Sequence, residues 1–182
     1  MENNNIGEEI LNHYEKFLGI FEQRRVFKSN ENVPSIQLLQ YGNIFEGCKT
    51  YASFGLSKFS ELINNTCEVI LAVDDDYQKS AFILANVLFY IIENKLNFGR
   101  GTYIEGIENI DKEFVDRHRK NAVYFTETNV FPDEFSDING IAKMYLAFFI
   151  SQEEYNFIKN YGCEKFEDYL EKNEIDIMDL NR

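Results

Sequence analysis

Side chains suited to acid–base or nucleophilic catalysis are few in this sequence, which has two histidines and three cysteines among 182 residues. His13 lies beside the apolar stripe of a helical pattern, and His118 lies in the charged segment Asp-Arg-His-Arg-Lys. Neither belongs to a catalytic or metal-binding motif, so structural or surface roles are favoured for both. Cys163 begins a helix, where a thiolate would be stabilised, but nothing in the sequence pairs it with a histidine. We therefore predict a protein that is not an enzyme, with Cys163 and His118 as the only candidate reactive centres.

Acidic residues are the second group with potential chemistry. Asp74, Asp75 and Asp76 end a predicted strand and precede a helix. Consecutive strand residues point to alternate sides and do not converge on one ion, so an acidic turn that begins a helix is favoured over a metal site. Together with Tyr77 they form an acidic tip that would suit a basic partner. The sequence has no glycine-rich phosphate loop and no dinucleotide fingerprint, and we predict neither a metal nor a cofactor.

Glu68 interrupts the apolar strand that is predicted over residues 67–76. A carboxylate in a central strand is unfavourable unless it is paired or reaches an edge. Two interpretations stay open: Glu68 pairs with an arginine or lysine, or it faces a cleft. In either case its role is structural, because no acid–base partner accompanies it.

The bulk composition limits the class of function. A net charge of −13, from 18 basic and 31 acidic residues, argues against direct binding of nucleic acid. It fits either a solvated acidic surface or a protein with a basic partner. The polar N-terminus is not a signal peptide, and the cysteines form no CxxC pair, so a reducing, cytoplasmic location is expected. The longest apolar run is too short to cross a bilayer, so no membrane association is predicted.

Hydrophobic periodicity predicts a mixed series of helices and strands. The predicted elements are a helix over 6–21, a polar loop, strands over 35–41, 50–57 and 67–76, a buried helix over 80–92, strands over 102–106 and 122–128, a proline-led turn at 131–135, a strand over 141–150, and helices over 151–162 and 164–172. In strand 50–57, Ala52, Phe54 and Leu56 are expected on one face. In helix 80–92, Phe82 is expected on the innermost face with Ala85, Phe89 and Ile92. The charged stretch 111–120 is expected to be exposed.

These elements predict an α+β fold, in which helices cover a mixed, largely antiparallel β-sheet. The chain is expected to be a single domain, 1–182. Residues 1–33 would form an N-terminal helix and loop, and residues 34–182 the sheet core, its covering helix and the C-terminal helices.

Several stretches in this order resemble the Suppressor of fused domain family. They are Thr-Tyr-Ala-Ser-Phe-Gly-Leu-Ser at 50–57, Cys-Glu-Val-Ile-Leu-Ala at 67–72, the helix at 81–92, His118 followed by 122–131 and Pro-Asp-Glu-Phe, Tyr-Leu-Ala-Phe-Phe-Ile-Ser-Gln-Glu-Glu at 145–154, and the closing segment from Gly162 to Arg182. The resemblance runs from about residue 36 to the end. It implies the family's fold, and the family has no established catalytic residues to carry over.

The compact form resembles the bacterial branch of that family, whose members are commonly immunity proteins, or antitoxins, of polymorphic toxin systems. The resemblance implies a non-catalytic protein that binds and neutralises a cognate protein toxin, and many such toxins are nucleases. Candidate contact residues, chosen from charge and turn position, are Asp74, Asp75, Asp76, Tyr77, Asp133 and Glu134. The alternative is a regulatory scaffold that sequesters another protein, such as a transcription factor. Animal members do this, but they carry a further C-terminal region that the resemblance does not include.

Overall fold

The computed structural model describes residues 3–31, 33–42, 44–74 and 78–182, with side chains from Ile6 onward. The helices are α1 (Asn3–Leu18), α2 (Ser60–Ile63), α3 (Ser80–Glu93), α4 (Lys112–His118), α5 (Gln152–Tyr161) and α6 (Cys163–Lys172). The strands are β1 (Gln23–Phe27), β2 (Ile36–Tyr41), β3 (Lys49–Phe54), β4 (Cys67–Val73), β5 (Tyr103–Glu105), β6 (Lys120–Thr126), β7 (Asp137–Ile138) and β8 (Ala142–Ser151). Short 3-10 helices occupy Leu56–Phe59, Ile107–Asn109 and Asp133–Ser136. None of the helices in these described ranges is long and apolar enough to cross a membrane.

The strands form one mixed sheet in the order β1-β2-β3-β4-β8-β6-β5, and β7 pairs with the start of β8. Neighbouring strands are antiparallel except β4 and β8, which run parallel with Ile70 opposite Leu146. Every residue of β4 is buried, in keeping with its almost continuous apolar sequence and its central place. The predicted α+β class, with helices against a largely antiparallel sheet, is confirmed.

Helices cover both faces of the sheet. On the first face, the α3 face, α3 and α4 pack over one continuous core, and ten of the fourteen residues of α3 are buried. On the second face, the α1 face, α1 covers strands β2 to β4 and the start of β8. Further along the α1 face, α5 and α6 cover β6 and the end of β8. The sheet is therefore the middle layer of three.

The C-terminal elements match their predictions closely. Alternate residues of β8 face the α1 side, namely Ala142, Met144, Leu146, Phe148 and Ile150. The capping box that begins α5 is present: the Ser151 hydroxyl accepts the N–H of Glu154, and the Glu154 carboxylate accepts the N–H of Ser151.

The N-terminal region differs from its prediction. Helix α1 ends at Leu18 and does not reach residue 21, because Gly19 has a φ of 78° that ends the helix. The predicted loop contains β1, an edge strand paired antiparallel with β2. Its sequence, Gln-Arg-Arg-Val-Phe, lacks apolar alternation because an edge strand of this kind is largely exposed.

The strand predicted over residues 50–57 is shorter than expected. β3 ends at Phe54, and the chain then turns at Gly55 into the 3-10 helix Leu56–Phe59. Leu56 consequently packs on the α3 face, whereas Ala52 packs on the α1 face. The expectation that both lie on one face is wrong.

Phe82 and Lys120 also differ from expectation. Phe82 is 43% exposed, because α3 turns its neighbours Ala81, Ile83 and Ala85 inward. Lys120 is only 1% exposed, although the stretch 111–120 was expected on the surface. Its Nζ donates to the main-chain oxygen of Arg182 at 3.1 Å and lies 3.7 Å from a Glu154 oxygen, and these partners compensate its burial.

Replacing Ser151 by alanine is expected to lower the free energy of unfolding by about 1 kcal/mol, because the capping box loses its hydroxyl acceptor. Urea unfolding followed by circular dichroism measures this change. The control is Ser136→Ala, since Ser136 donates to the main-chain oxygen of Asp133 at 2.7 Å in a surface turn. The control should change stability by less than about 0.5 kcal/mol. Equal losses in the two variants would contradict a special role for the capping box.

Candidate partner-binding surfaces

Glu68 is fully buried in β4, and its carboxylate accepts five hydrogen bonds from residues 53–57. Oε1 accepts the N–H of Gly55 at 3.0 Å and both the N–H and the hydroxyl of Ser57, at 3.1 and 2.9 Å. Oε2 accepts the Ser53 hydroxyl at 2.5 Å and the N–H of Leu56 at 3.2 Å. We call residues 53–57 with Glu68 the Glu68 cradle.

The cradle lies where β3 and β4 separate. The two strands stay in register as far as Ala52 opposite Ile70. At the next position the Ser53 hydroxyl accepts the N–H of Val69 at 2.8 Å, in place of a main-chain acceptor. The main-chain oxygen of Ser53 accepts the hydroxyl of Tyr14 at 2.6 Å, which ties α1 to the cradle. Burial, followed by the nearby charge of Glu68, raises the pKa of Tyr14 well above its usual value.

Gly55 is required by the conformation of the cradle. Its φ of 110° is one that residues with a side chain rarely adopt. A Cβ at this position would also lie 3.2 Å from the main-chain oxygen of Ser35. The glycine therefore allows three successive N–H groups to turn toward one carboxylate.

This arrangement matches neither interpretation of Glu68. Its hydrogen bonds come from N–H groups and hydroxyls, and within the described part of the chain it forms no ion pair with a basic side chain. The interpretation in which Glu68 pairs with an arginine or lysine is wrong, and so is the one in which it faces a cleft, because its side chain is fully buried. Glu68 is a structural residue that joins β3, β4 and the following 3-10 helix.

Asp74 is exposed at the carboxyl end of β4, and it holds the C-terminal segment. Its carboxylate accepts the N–H of Leu180 at 2.9 Å, and its own N–H donates to the main-chain oxygen of Met178 at 3.2 Å. The other residues of the predicted acidic tip, Asp75, Asp76 and Tyr77, lie outside the described residues. A role of this tip in partner binding stays a prediction.

Asp133 and Glu134 form the exposed first turn of a 3-10 helix on the α1 face. The turn is anchored by Phe135, which is fully buried and stacks on Phe131 at 4.4 Å between ring centroids. Phe131 in turn contacts Phe45, in the loop before β3, at 5.3 Å. The two acids are therefore displayed on a rigid turn, and their role in partner binding also stays a prediction.

The two candidate reactive centres lie on opposite faces of the sheet. His118 packs on Phe114, on the α3 face, at 4.9 Å between ring centroids. Cys163, the first residue of α6, is partly buried and packs against the core on the α1 face. His13 is buried, and its Nε2 lies 3.1 Å from the main-chain oxygen of Phe135, which gives it a structural role. In the described ranges, no group of three or more histidine, cysteine or acidic side chains could hold a metal ion.

A groove on the α3 face was missed by sequence reasoning. It has a volume of about 720 Å³ and lies between α3, the segment after β1, and the chain from β5 through the 3-10 helix Ile107–Asn109. Phe82 and Tyr90, two helical turns apart, line it and are 43% and 51% exposed. We call it the α3 groove. The available signal was the spacing of these two aromatic residues on a helix that is otherwise apolar and buried.

Comparison with known proteins identifies the family. The family model described as Suppressor of fused protein (SUFU) matches residues 32–182. The chain belongs to the SUFU family. No curated protein sequence matches it. The matched residues include the Glu68 cradle and α3, and they span all of the stretches that resembled the family in the sequence.

Two solved structures extend the SUFU fold to nearly the whole chain. One is a protein from Neisseria gonorrhoeae described as a SUFU homologue, with a TM-score of 0.79 and 18% identity over 98% of this chain and 96% of that chain. The other is the Sufu-Fu complex crystal structure, with a TM-score of 0.60 and 10% identity over 98% of this chain and 89% of that chain. At these identities the likeness shows the shared fold.

Replacing Glu68 by glutamine should lower the free energy of unfolding by about 3 kcal/mol, because an amide NH₂ would face buried donors where the carboxylate now accepts. Urea unfolding measures the loss. Glu61→Gln is the matched control, since it removes the same charge from an exposed position in α2. Its effect should stay within about 0.5 kcal/mol. A Glu68→Gln protein as stable as the control would refute the structural role of the carboxylate.

Proposed function

We propose that this SUFU-family chain is a non-catalytic protein-binding domain that acts in the cytoplasm as an immunity protein. Its partner would be a cognate toxin, and a nuclease domain with a basic surface is the kind of toxin that fits best. The proposal extends the family resemblance to the bacterial branch. The Sufu-Fu complex supports the general mode, because in that relative a protein of this fold was crystallised as a complex.

The observation that carries the choice of partner is the charge of −13 on a chain of 182 residues. A surface of this sign accelerates encounter with a basic protein and repels nucleic acid. A nuclease binds its substrate through basic side chains that contact phosphates. An acidic protein that covers those side chains would compete directly with the substrate, and inhibition then needs no chemistry from the inhibitor.

The acidic residues predicted from the sequence are proposed as the part of the surface that attracts the partner. Asp133 and Glu134 are exposed on a turn that buried rings hold in place. Asp74, which also holds the C-terminal segment, is exposed at the end of β4. The proposed surface also includes Asp75, Asp76 and Tyr77.

The test uses the variable C-terminal domain of the secreted toxin that we expect to be encoded beside this gene, in an inactivated form. The wild-type protein should bind this domain tightly. Its association rate constant should fall by about tenfold or more when the salt concentration rises from about 50 to about 500 mM, because salt screens electrostatic steering. Stopped-flow or surface plasmon measurements give the rate. Absence of binding at low salt would overturn the immunity proposal, and binding to a non-toxic cytoplasmic protein would favour the regulatory alternative.

Protection without catalysis is tested in cells that express the active toxin. A double variant, Cys163→Ala with His118→Asn, should restore growth as well as wild type does, because neither side chain would take part in inhibition. Circular dichroism of the purified variant checks that it folds. A folded variant that no longer protects would contradict a non-catalytic mechanism.

A further inference from the structure

A row of four phenylalanine rings crosses the α1 face of the sheet. Phe17, near the end of α1, meets Phe135 edge to face at 5.6 Å between ring centroids. Phe135 stacks on Phe131 at 4.4 Å, and Phe131 meets Phe45, in the loop before β3, at 5.3 Å. Three segments that are far apart in the sequence therefore join in one line of rings, which we call the Phe row.

The Phe row is buried on its sheet side and partly open to solvent on its outer side. Phe135 is fully buried in the core beneath α1, whereas Phe17, Phe45 and Phe131 are only partly buried. Val130, next to Phe131, is 41% exposed and extends the apolar surface. Contacts between the rings hold them in place, so a partner would bind them without ordering long, flexible side chains. Aromatic side chains of this kind are enriched at the centres of protein interfaces.

Three exposed carboxylates lie beside the Phe row. Asp133 and Glu134 are in the turn that carries two of its rings, and Glu46 directly follows Phe45. Because Phe45 contacts Phe131, the loop with Glu46 and the turn with the other two acids lie side by side. The turn that attracts the partner in the proposed function is thus joined to apolar side chains that could anchor it.

Two further carboxylates lie near the same loop. Burial raises the pKa of Cys48, and the charges of Asp74 and Asp176 raise it further, which places both acids close to this residue. Both acids are exposed, and each is held by a main-chain N–H, that of Leu180 for Asp74 and that of Met178 for Asp176. We call the five acids around the Phe row the acidic border, namely Glu46, Asp74, Asp133, Glu134 and Asp176.

The strands direct most of the nearby positive charge away from the Phe row. Lys49 and Lys143 point to the α3 face, because the side chains two positions further along each strand pack there. Arg24, opposite Leu39, points to the α1 face, but from the edge strand β1 on the far side of β2.

Two other basic residues lie on the α1 side. Lys16 is in contact with the row, since its Nζ is 4.6 Å from the centre of the Phe17 ring. The guanidinium of Arg182 is largely buried and is paired with a glutamate of α5. The five carboxylates of the acidic border thus exceed Lys16 and Arg24, and the surface favours a positively charged partner.

The charges at the α3 groove do not favour one sign of partner. Arg25 and Lys79 lie beside Phe82. The carboxylate of Glu105 accepts the hydroxyl of Tyr155, whose side chain packs on the α1 face. The exposed rings of the α3 groove are therefore suited to serve as a control.

We infer that the Phe row is the contact surface for a basic toxin domain that presents large apolar residues among its lysines and arginines. The apolar residues would pack on Phe45, Phe131 and Val130, and the basic residues would face the acidic border. An arginine could also lie over one of the rings. The inference rests on the proposed function and deepens it, because Asp133 and Glu134 attract the partner and the row beside them holds it.

The main experiment measures binding of two double variants to the inactivated toxin domain by calorimetry. Phe45→Ala with Val130→Ala removes apolar contacts from the row, and Asp133→Lys with Glu134→Lys reverses part of the acidic border. Each should raise the Kd by about tenfold or more. Urea unfolding verifies that both are folded. The charge variant substitutes exposed residues only, so it tests the surface even where the loss of Phe45 affects stability.

Matched controls lie on the α3 face. Phe82→Ala with Tyr90→Ala removes two rings that are 43% and 51% exposed. Glu108→Lys with Glu113→Lys changes the net charge by the same amount as the border variant, at exposed positions next to the α3 core. Both controls should change the Kd by less than about threefold.

The outcomes separate the inference from the function on which it rests. Row variants that bind the toxin domain as tightly as the wild-type protein would overturn the Phe row as the interface and leave the immunity function intact. If the wild-type protein does not bind the toxin domain, the immunity function fails, and a peptide then tests the row by itself.

The peptide probe has about 12 residues and alternates lysine with leucine and phenylalanine, a pattern of anchors and charges suited to this surface. It is titrated into the ¹⁵N-labelled protein and followed by NMR. Saturable shifts at residues 44–48 and 130–134 that both row variants abolish would support the inference. No saturable binding, shifts confined to the α3 face, or equal binding of a peptide with glutamate in place of lysine would overturn it.

Discussion

One buried negative charge, the carboxylate of Glu68, sets the geometry at the centre of the sheet. Removing a carboxylate from water costs several kcal/mol unless hydrogen bonds replace its hydration. Here three consecutive N–H groups and two hydroxyls supply those bonds, and they can converge only because the chain reverses at Gly55. The end of β3, the 3-10 helix after it and the docking of Tyr14 from α1 all follow from this requirement. A carboxylate satisfied in this way specifies one arrangement of the surrounding chain, since any other would leave the charge without partners.

The elements that could be predicted from the sequence are those in which the local hydrophobic pattern agrees with the burial in the folded protein. β4 and β8 have apolar sequences of the length and alternation that a central strand needs, and Ser151 with Glu154 is a complete local signal for a helix start. The partners of Glu68 could not be predicted, because N–H groups carry no signature in the sequence. β1 was missed because its apolar alternation is weak, and its identity comes from pairing with β2.

The candidate surfaces likewise combine features that the sequence shows with features that only the structure shows. The acidic residues were visible in the sequence as charges, but their neighbours were not, and Asp74 proves to hold the C-terminal segment as well. Phe82 was assigned to the core because a large apolar side chain on an apolar helix is usually buried. Only the position of α3 against the sheet shows which stripe of the helix stays outside. A surface defined by exposed rings depends on packing at long range, and local periodicity does not determine it.

The parallel pairing of β4 with β8 has a consequence for how the chain folds. Strands β1 to β4 form successive antiparallel pairs and can assemble from local contacts, whereas β8 must be made after α3, β5, α4 and β6 before it can enter beside β4. Contacts of such wide sequence separation form slowly. Until β8 arrives, the edge of β4, a strand that is apolar except for Glu68, is open, and an open edge of this kind is a template for aggregation. The solubility of the nascent protein therefore depends on the last long strand of the sheet, and shielding of that edge by a chaperone would matter more for this chain than for a simple meander.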